Sequence, residues 1–299
     1  MLTGLAYGLF AAVAWGVVDI AGALAVRQVG SLRVQVGTLV VGVASFVVFT
    51  LLRPDLLGPD WLPGMLLGIP LGVFAASGYI TYMTALRLGP ISVVSPVTVT
   101  YGGLSVLLAV VIRGESLSAA QAAGSALAVV GVMLTAVVLE QGTLRSARMV
   151  GPGVAMALAT VLLFGMLGVL LAGPIRDHGW LPILLGSRFG NLAAGVTLLA
   201  LALSTGSRRF STVLEPSRPA TRRIVGLLAL AGLCDTAAFT SFAIGLSQAP
   251  VWIVTLASSF GPVLVVLFAI LRLGERLRPV QWVGLAALAI GLSVLALAG

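Results

Sequence analysis

Lysine is absent, cysteine and histidine occur once each, and only 9% of the 299 residues are charged. Each shortage excludes something. A single cysteine, Cys234, rules out an intramolecular disulfide. A single histidine, His178, leaves little for a metal site and no plausible Ser-His-Asp set. There is no glycine-rich phosphate loop and no His-Glu-x-x-His, so this chain alone is not an ATP-driven pump. A soluble domain carries about 25% charged residues. With 9% charged and 59% apolar residues, the chain cannot hide its apolar surface in a soluble fold. It reads as an all-α polytopic membrane protein, not an enzyme, with no cofactor and no metal. The 17 basic residues, all arginine, outnumber 9 acids for a net charge of +8. Loop arginines facing anionic lipid headgroups explain that excess better than nucleic acid does.

A bilayer core of about 30 Å needs roughly 20 apolar residues per helix. Ten such runs occur, at 3–26, 34–52, 62–86, 91–112, 118–139, 150–172, 181–203, 224–246, 251–271 and 279–298. Connections are short except 204–223, which holds Arg208, Arg209, Arg218, Arg222 and Arg223. The first run carries Ala23-Leu24-Ala25, which looks like a signal-peptide cleavage site. It lacks a basic leader, its apolar stretch is too long, and it bears Trp15 and Asp19, so it reads as a retained helix. The odd-numbered loops hold thirteen arginines and the even-numbered loops three, Arg53, Arg113 and Arg176. That bias places the odd loops in the cytoplasm and both termini outside.

The chain repeats itself. At an offset of 160, Gly114-Glu115-Ser116-Leu117 falls on Gly274-Glu275-Arg276-Leu277. Gln121 then meets Gln281, Gly124 meets Gly284, Ala126 meets Ala286 and Gly131 meets Gly291; upstream, Leu86 meets Leu246 and Pro90 meets Pro250. Residues 4–16 align with 153–165 at offset 149, matching Trp15 with Phe164. The chain is therefore two five-helix repeats, 1–139 and 150–298, joined by a loop at 140–149. Five is odd, so the second copy enters the membrane from the opposite side. Inverted repeats of this kind build many secondary transporters, with the substrate site near the midplane between the halves.

The doubled Gly-Glu-x-Leu-x-x-x-Gln-x-x-Gly pattern, each copy opening a fifth helix, resembles the EamA-type drug/metabolite transporters over essentially the whole chain. Aromatic and neutral amino-acid exporters of the YddG type are the nearest resemblance. It implies a ten-helix carrier of the inner membrane, with helices 1, 3, 4, 6, 8 and 9 around a cavity and helices 5 and 10 outside. Family members often carry proline thirteen residues before the glutamate; Pro262 fits, whereas the first copy has Gly102. The family's termini are usually cytoplasmic, opposite to the arginine count.

Only Asp19, Arg188 and Asp235 fall well inside the runs. A charge at a helix centre costs about 2.5–3.5 kcal/mol on insertion scales, so each needs a partner or a watery cavity. Two readings follow. Arg188 pairs with Asp235 or Asp19 as a structural lock, or an aspartate, Asp235 ahead of Asp19, binds a substrate ammonium or a coupling proton. Arg188 would then be available to a substrate carboxylate. Trp15, Tyr79, Tyr82, Ser95, Thr98, Tyr101, Phe239, Thr240, Ser258, Ser259 and Phe260 cluster on the same helices and read as pocket wall. Of these, Trp15, Tyr79, Tyr82, Thr98, Tyr101, Phe239 and Ser258 join the three charged residues as candidate substrate contacts.

Pro96 and Pro262 lie inside helices 4 and 9 and read as hinges. Trp61, Trp180, Trp252 and Trp282 sit at run ends and read as interface anchors. Gly4-x-x-x-Gly8, Gly68-x-x-x-Gly72 and Gly186-x-x-x-Gly190 permit close helix packing. Glu115 and Glu275, each just before a helix, read as caps on its free N–H groups, and His178 with Asp177 as a surface pair. The leading expectation is a carrier exporting small organic metabolites, foremost amino acids, by alternating access. Export of cationic drugs is the alternative, and a non-transporting membrane subunit a further one. Expected partners are the solute, the bilayer and protons, not nucleic acid.

Overall fold

An apolar run can cross a bilayer only if its backbone polar groups are satisfied within the run, which in a chain without alternating polarity means helix. A computed structural model describes residues 2–59, 61–88, 97–136, 152–205, 221–261, 263–264, 268 and 279–298. Among the described residues there are ten α-helices and no strand. The first five are α1 (Leu2–Val29), α2 (Ser31–Leu52), α3 (Trp61–Leu88), α4 (Tyr101–Arg113) and α5 (Ala119–Ala136). The second five are α6 (Pro152–His178), α7 (Trp180–Thr205), α8 (Arg222–Gln248), α9 (Val251–Ser258) and α10 (Pro279–Leu297). Seven of them, α1–α3, α6–α8 and α10, are long and apolar enough to cross a membrane. Ser95 and both expected hinges, Pro96 and Pro262, lie outside the described residues.

The two halves end their first helices alike. Gly30 follows α1 and Gly179 follows α6, both at φ 85°, and the offset of 149 carries one onto the other. Glycine meets that left-handed backbone without the Cβ clash other residues suffer.

The helix contacts obey the same exchange. The pairs α1–α8 and α6–α3, α2–α8 and α7–α3, and α1–α9 and α6–α4 are counterparts when helix n is swapped with n + 5. The pairs α5–α10, α2–α7 and α4–α9 map onto themselves. The repeated glycines make the α5–α10 crossing. A Cβ on Gly131 would lie 2.8 Å from the Gly284 carbonyl oxygen, and one on Gly291 would lie 2.8 Å from that of Gly124.

The glycine pairs seen in the sequence do bring helices together. On α3 and α7, a Cβ at Gly68, Gly72, Gly186 or Gly190 would overlap a carbonyl oxygen of the facing helix, that of Ile183, Ser187, Met65 or Ile69 respectively. Gly4 and Gly8 lie against the methyl groups of Ala249 and Ala257, where an added Cβ would stand 2.5 Å away. Large apolar side chains such as Phe10, Val48, Leu107, Val111, Leu162 and Val225 face outward and are exposed. Such a surface suits lipid rather than water.

The tryptophans divide. Trp61 and Trp282 are exposed at helix ends, as interface anchors should be, and Trp180 meets Phe49 at a tilt, with ring centroids 6.0 Å apart. Trp252 does not follow the expectation: it is 1% exposed, in the core. Its helix, α9, is buried along its whole length, because it packs against both α1 and α4. His178 and Asp177 form no ion pair, and His178 packs against the Gly64 backbone of α3 with Nδ1 unpartnered among the described residues.

Candidate functional site

Three charges inside an apolar bundle must find partners, and the interhelical packing decides which. Arg188 of α7 donates from Nη1 to Asp235 Oδ2 at 2.6 Å and from Nη2 to the Asp235 carbonyl at 3.1 Å. Trp15 of α1 donates its indole N–H to the other carboxylate oxygen, Oδ1, at 3.2 Å. Both oxygens of Asp235 thus have a donor. The guanidinium lies 4.0 Å over the Phe239 ring and 5.6 Å from that of Phe46, and Arg188 is 2% exposed. Trp15 closes the cluster edge-on to Phe239 at 4.9 Å and against Phe242 at 5.6 Å. Cation–π contact and a hydrogen-bonded pair together offset the desolvation of these charges.

Asp19 is placed differently. It is one turn beyond Trp15 on the same face of α1, the face away from the exposed Phe10, Val13 and Leu24. Yet its side chain is exposed, and it makes no hydrogen bond or ion pair among the described residues. It interacts electrostatically with Asp235, Tyr79, Tyr82 and Tyr101. An exposed side chain on an inward face, among residues of α3, α4 and α8, borders an interior space.

That space arises where the exchange symmetry breaks. In the second half α6 touches α8 and α9, and α7 touches α8. Among the described residues the counterparts α1–α3, α1–α4 and α2–α3 graze one another at most. The lining follows the same asymmetry. At offset 149 Asp19 corresponds to Gly168, which is packed against Phe242 and Thr255. At offset 160 Tyr79 and Tyr82 correspond to Phe239 and Phe242. The open wall carries an acid and phenols; the closed wall carries glycine and phenylalanines.

The remaining expected contacts separate. Tyr79, Tyr82 and Phe239 are half-buried. Tyr101 bridges to α9, donating to the Ser258 carbonyl at 3.4 Å and meeting Phe164 edge-on at 5.8 Å. Thr98 is buried, and Ser258 and Ser259 are buried with their hydroxyls on carbonyls of their own helix. Phe260 is also buried and Thr240 half-buried. Phe46 and Phe242 were missed by sequence reasoning. The offset of 160 from Tyr82 could have pointed to Phe242; no sequence signal marks Phe46.

The EamA-like transporter family model matches residues 2–137 and again 151–297. The chain belongs to the EamA-like transporter family. It is accordingly a multi-pass membrane transporter of small molecules. Among solved structures, 28 chains match. One of them, a crystal structure, is 20% identical, has a TM-score of 0.80, and is matched over 97% of its length by 99% of this chain. At that identity the likeness concerns the fold alone. No curated protein matches.

In this EamA-like transporter the doubled motif has a legible physical content in its first copy. Gly114 ends α4 at φ 66° and turns the chain, its N–H on the Val110 carbonyl. Glu115 then caps a helix, but not the following one as its position suggested. Its Oε1 and Oε2 accept from the backbone N–H groups of Val251 and Trp252 at 2.8 and 3.0 Å, at the start of α9 in the other half. Arg176 stands 4.0 Å from the carboxylate and donates to the Leu246 and Ala249 carbonyls. The helix after Glu115, α5, is capped by Ser118 and Gln121 instead, each side chain accepting from the other's backbone N–H at 3.2 and 2.9 Å. Glu275 lies outside the described residues. The Glu115→Ala protein is expected to lose about 1–3 kcal/mol by stranding two N–H groups. Glu115→Gln should lose less, since its one amide oxygen still accepts. Thermal unfolding of the purified proteins checks this; equal stability of all three would remove the cap from the account.

Proposed function

We propose that the chain is a secondary carrier exporting small organic solutes across the inner membrane by alternating access. Repeats 1–139 and 150–298, oppositely oriented, would enclose the central cavity. The observation that carries this reading is the break in exchange symmetry. Two halves with the same contact plan, one closed around α6, α8 and α9 and the other, among the described residues, parted around α1, α3 and α4, fit one of two exchangeable states. Swapping the two arrangements would open the opposite face, which is the rocking motion that inverted repeats permit. Amino acids, the class implied by the family resemblance, and organic cations are the two substrate classes between which the site chemistry must choose.

The test is counterflow with purified protein in liposomes, loaded in turn with neutral and aromatic amino acids and with monovalent organic amines, with and without a pH gradient. Protein-dependent exchange of at least one class is expected. A protein that remains folded after reconstitution yet exchanges none of them would count against the carrier reading.

A further inference from the structure

A site that takes a zwitterion must offer a positive group to its carboxylate as well as a negative group to its ammonium. Well inside the described spans, away from their ends, stand two carboxylates and one guanidinium, Asp19, Asp235 and Arg188. The guanidinium is buried and engaged: Arg188 is 2% exposed, its Nη1 and Nη2 are bonded to the carboxylate and the carbonyl of Asp235, and Phe46 and Phe239 cover it, leaving only a buried Nε–H without a partner among the described residues. A substrate carboxylate would have to displace Asp235 or a ring to reach it. Asp19 is the reverse case, exposed to the interior space and without an ion-pair partner among the described residues. Tyr79, Tyr82 and Tyr101, whose rings can attract cations, are near enough to interact with it electrostatically, and Tyr79 and Tyr82 are only half-buried on α3. Among the described residues, the pairing of Asp235 thus leaves the site one unpaired carboxyl, on the wall that has parted.

We propose that Asp19 is the counter-charge of a binding site for a monovalent organic amine, and that the site discriminates against the amino acid carrying the same side chain. The assignment rests on the carrier reading only for its biological use; the binding itself does not require transport. A carboxylate beside aromatic rings binds an ammonium by charge and by the ring quadrupole, whereas an added carboxylate would stand beside Asp19 with no unpaired guanidinium among the described residues of the site to offset the repulsion.

Phenethylamine and phenylalanine differ by that one carboxylate and are the probes. Equilibrium binding of each to the purified protein in lipid nanodiscs is measured for the natural chain, Asp19→Asn and Asp19→Glu. Phenethylamine is expected to bind at least about ten-fold more tightly than phenylalanine. Asp19→Asn should weaken it about thirty-fold or more, the loss expected when one partner of a desolvated charge pair is removed. Asp19→Glu should retain most of the binding, and all three proteins should melt alike, which a merely structural role of Asp19 would not produce. Phenylalanine binding as tightly as the amine, or amine binding that survives Asp19→Asn, would overturn the assignment. Counterflow separates the two claims: exchange of phenylalanine but not phenethylamine keeps the carrier and sinks the cation site. Asp19-dependent amine binding with no exchange of any solute keeps the site and sinks the carrier.

Discussion

Arg188→Leu is expected to destabilise the protein by about 3–5 kcal/mol, because it leaves Asp235 buried without its charge partner. Asp235→Asn should cost a comparable amount, since it strands the guanidinium between Phe46 and Phe239. The double variant Arg188→Leu/Asp235→Leu should recover most of the loss, as apolar replacements of buried ion pairs commonly do. Thermal unfolding in detergent, followed by size exclusion, gives the three values. A double variant as unstable as the sum of the singles would show that the two side chains do not act as a pair. The same double variant also bears on function. If Arg188 and Asp235 only hold α7 to α8, it should keep phenethylamine binding within a few-fold.

Gly72→Leu and Gly186→Leu are expected to yield no folded protein. At both positions even a Cβ would overlap a carbonyl oxygen of the opposing helix, so α3 and α7 must separate before any larger side chain fits. Overpacking a core costs about 1–3 kcal/mol where side chains can move aside; here the obstacle is backbone, which cannot. Gly22 and Gly226 are internal controls, since a Cβ on either meets nothing within 4 Å. Alanine at those two positions should be tolerated or slightly stabilising, by up to about 1 kcal/mol from helix propensity. Expression as a monodisperse peak, or its absence, reads both results. Folded Gly72→Leu protein would mean that the α3–α7 contact is looser than the structure describes.

Much of this architecture was legible in the residues alone because it depends on local or periodic signals. Helix-length apolar runs follow from the bilayer's thickness, and repeat order from glycines and glutamates at a constant offset. The small-residue pairs Gly68/Gly72 and Gly186/Gly190 announced helix contacts because only glycine lets backbones approach that closely. The scarcity of intramembrane charge singled out Asp19, Arg188 and Asp235, since nothing else pays for their insertion.

What stayed hidden was partnership between segments far apart in the chain. Asp19 and Asp235 are the same side chain in equally apolar helices, and their sequence surroundings give no reason for one to be paired and the other open. The difference arises because α7 and α8 touch, so Arg188 reaches Asp235, while among the described residues α1 scarcely meets α3 or α4, so Asp19 keeps its side of the interior space. Glu115 was readable as a helix cap, but its helix turned out to be α9, 136 residues away. Trp252 had the position of an interface anchor and became core for the same reason, since α9 runs between α1 and α4. Composition and periodicity thus determined that this chain is a ten-run helical membrane protein built twice over. Only the packing of one half against the other decided which charged side chains pair and which stays open, because that choice depends on distances across helix interfaces that no spacing along the chain encodes.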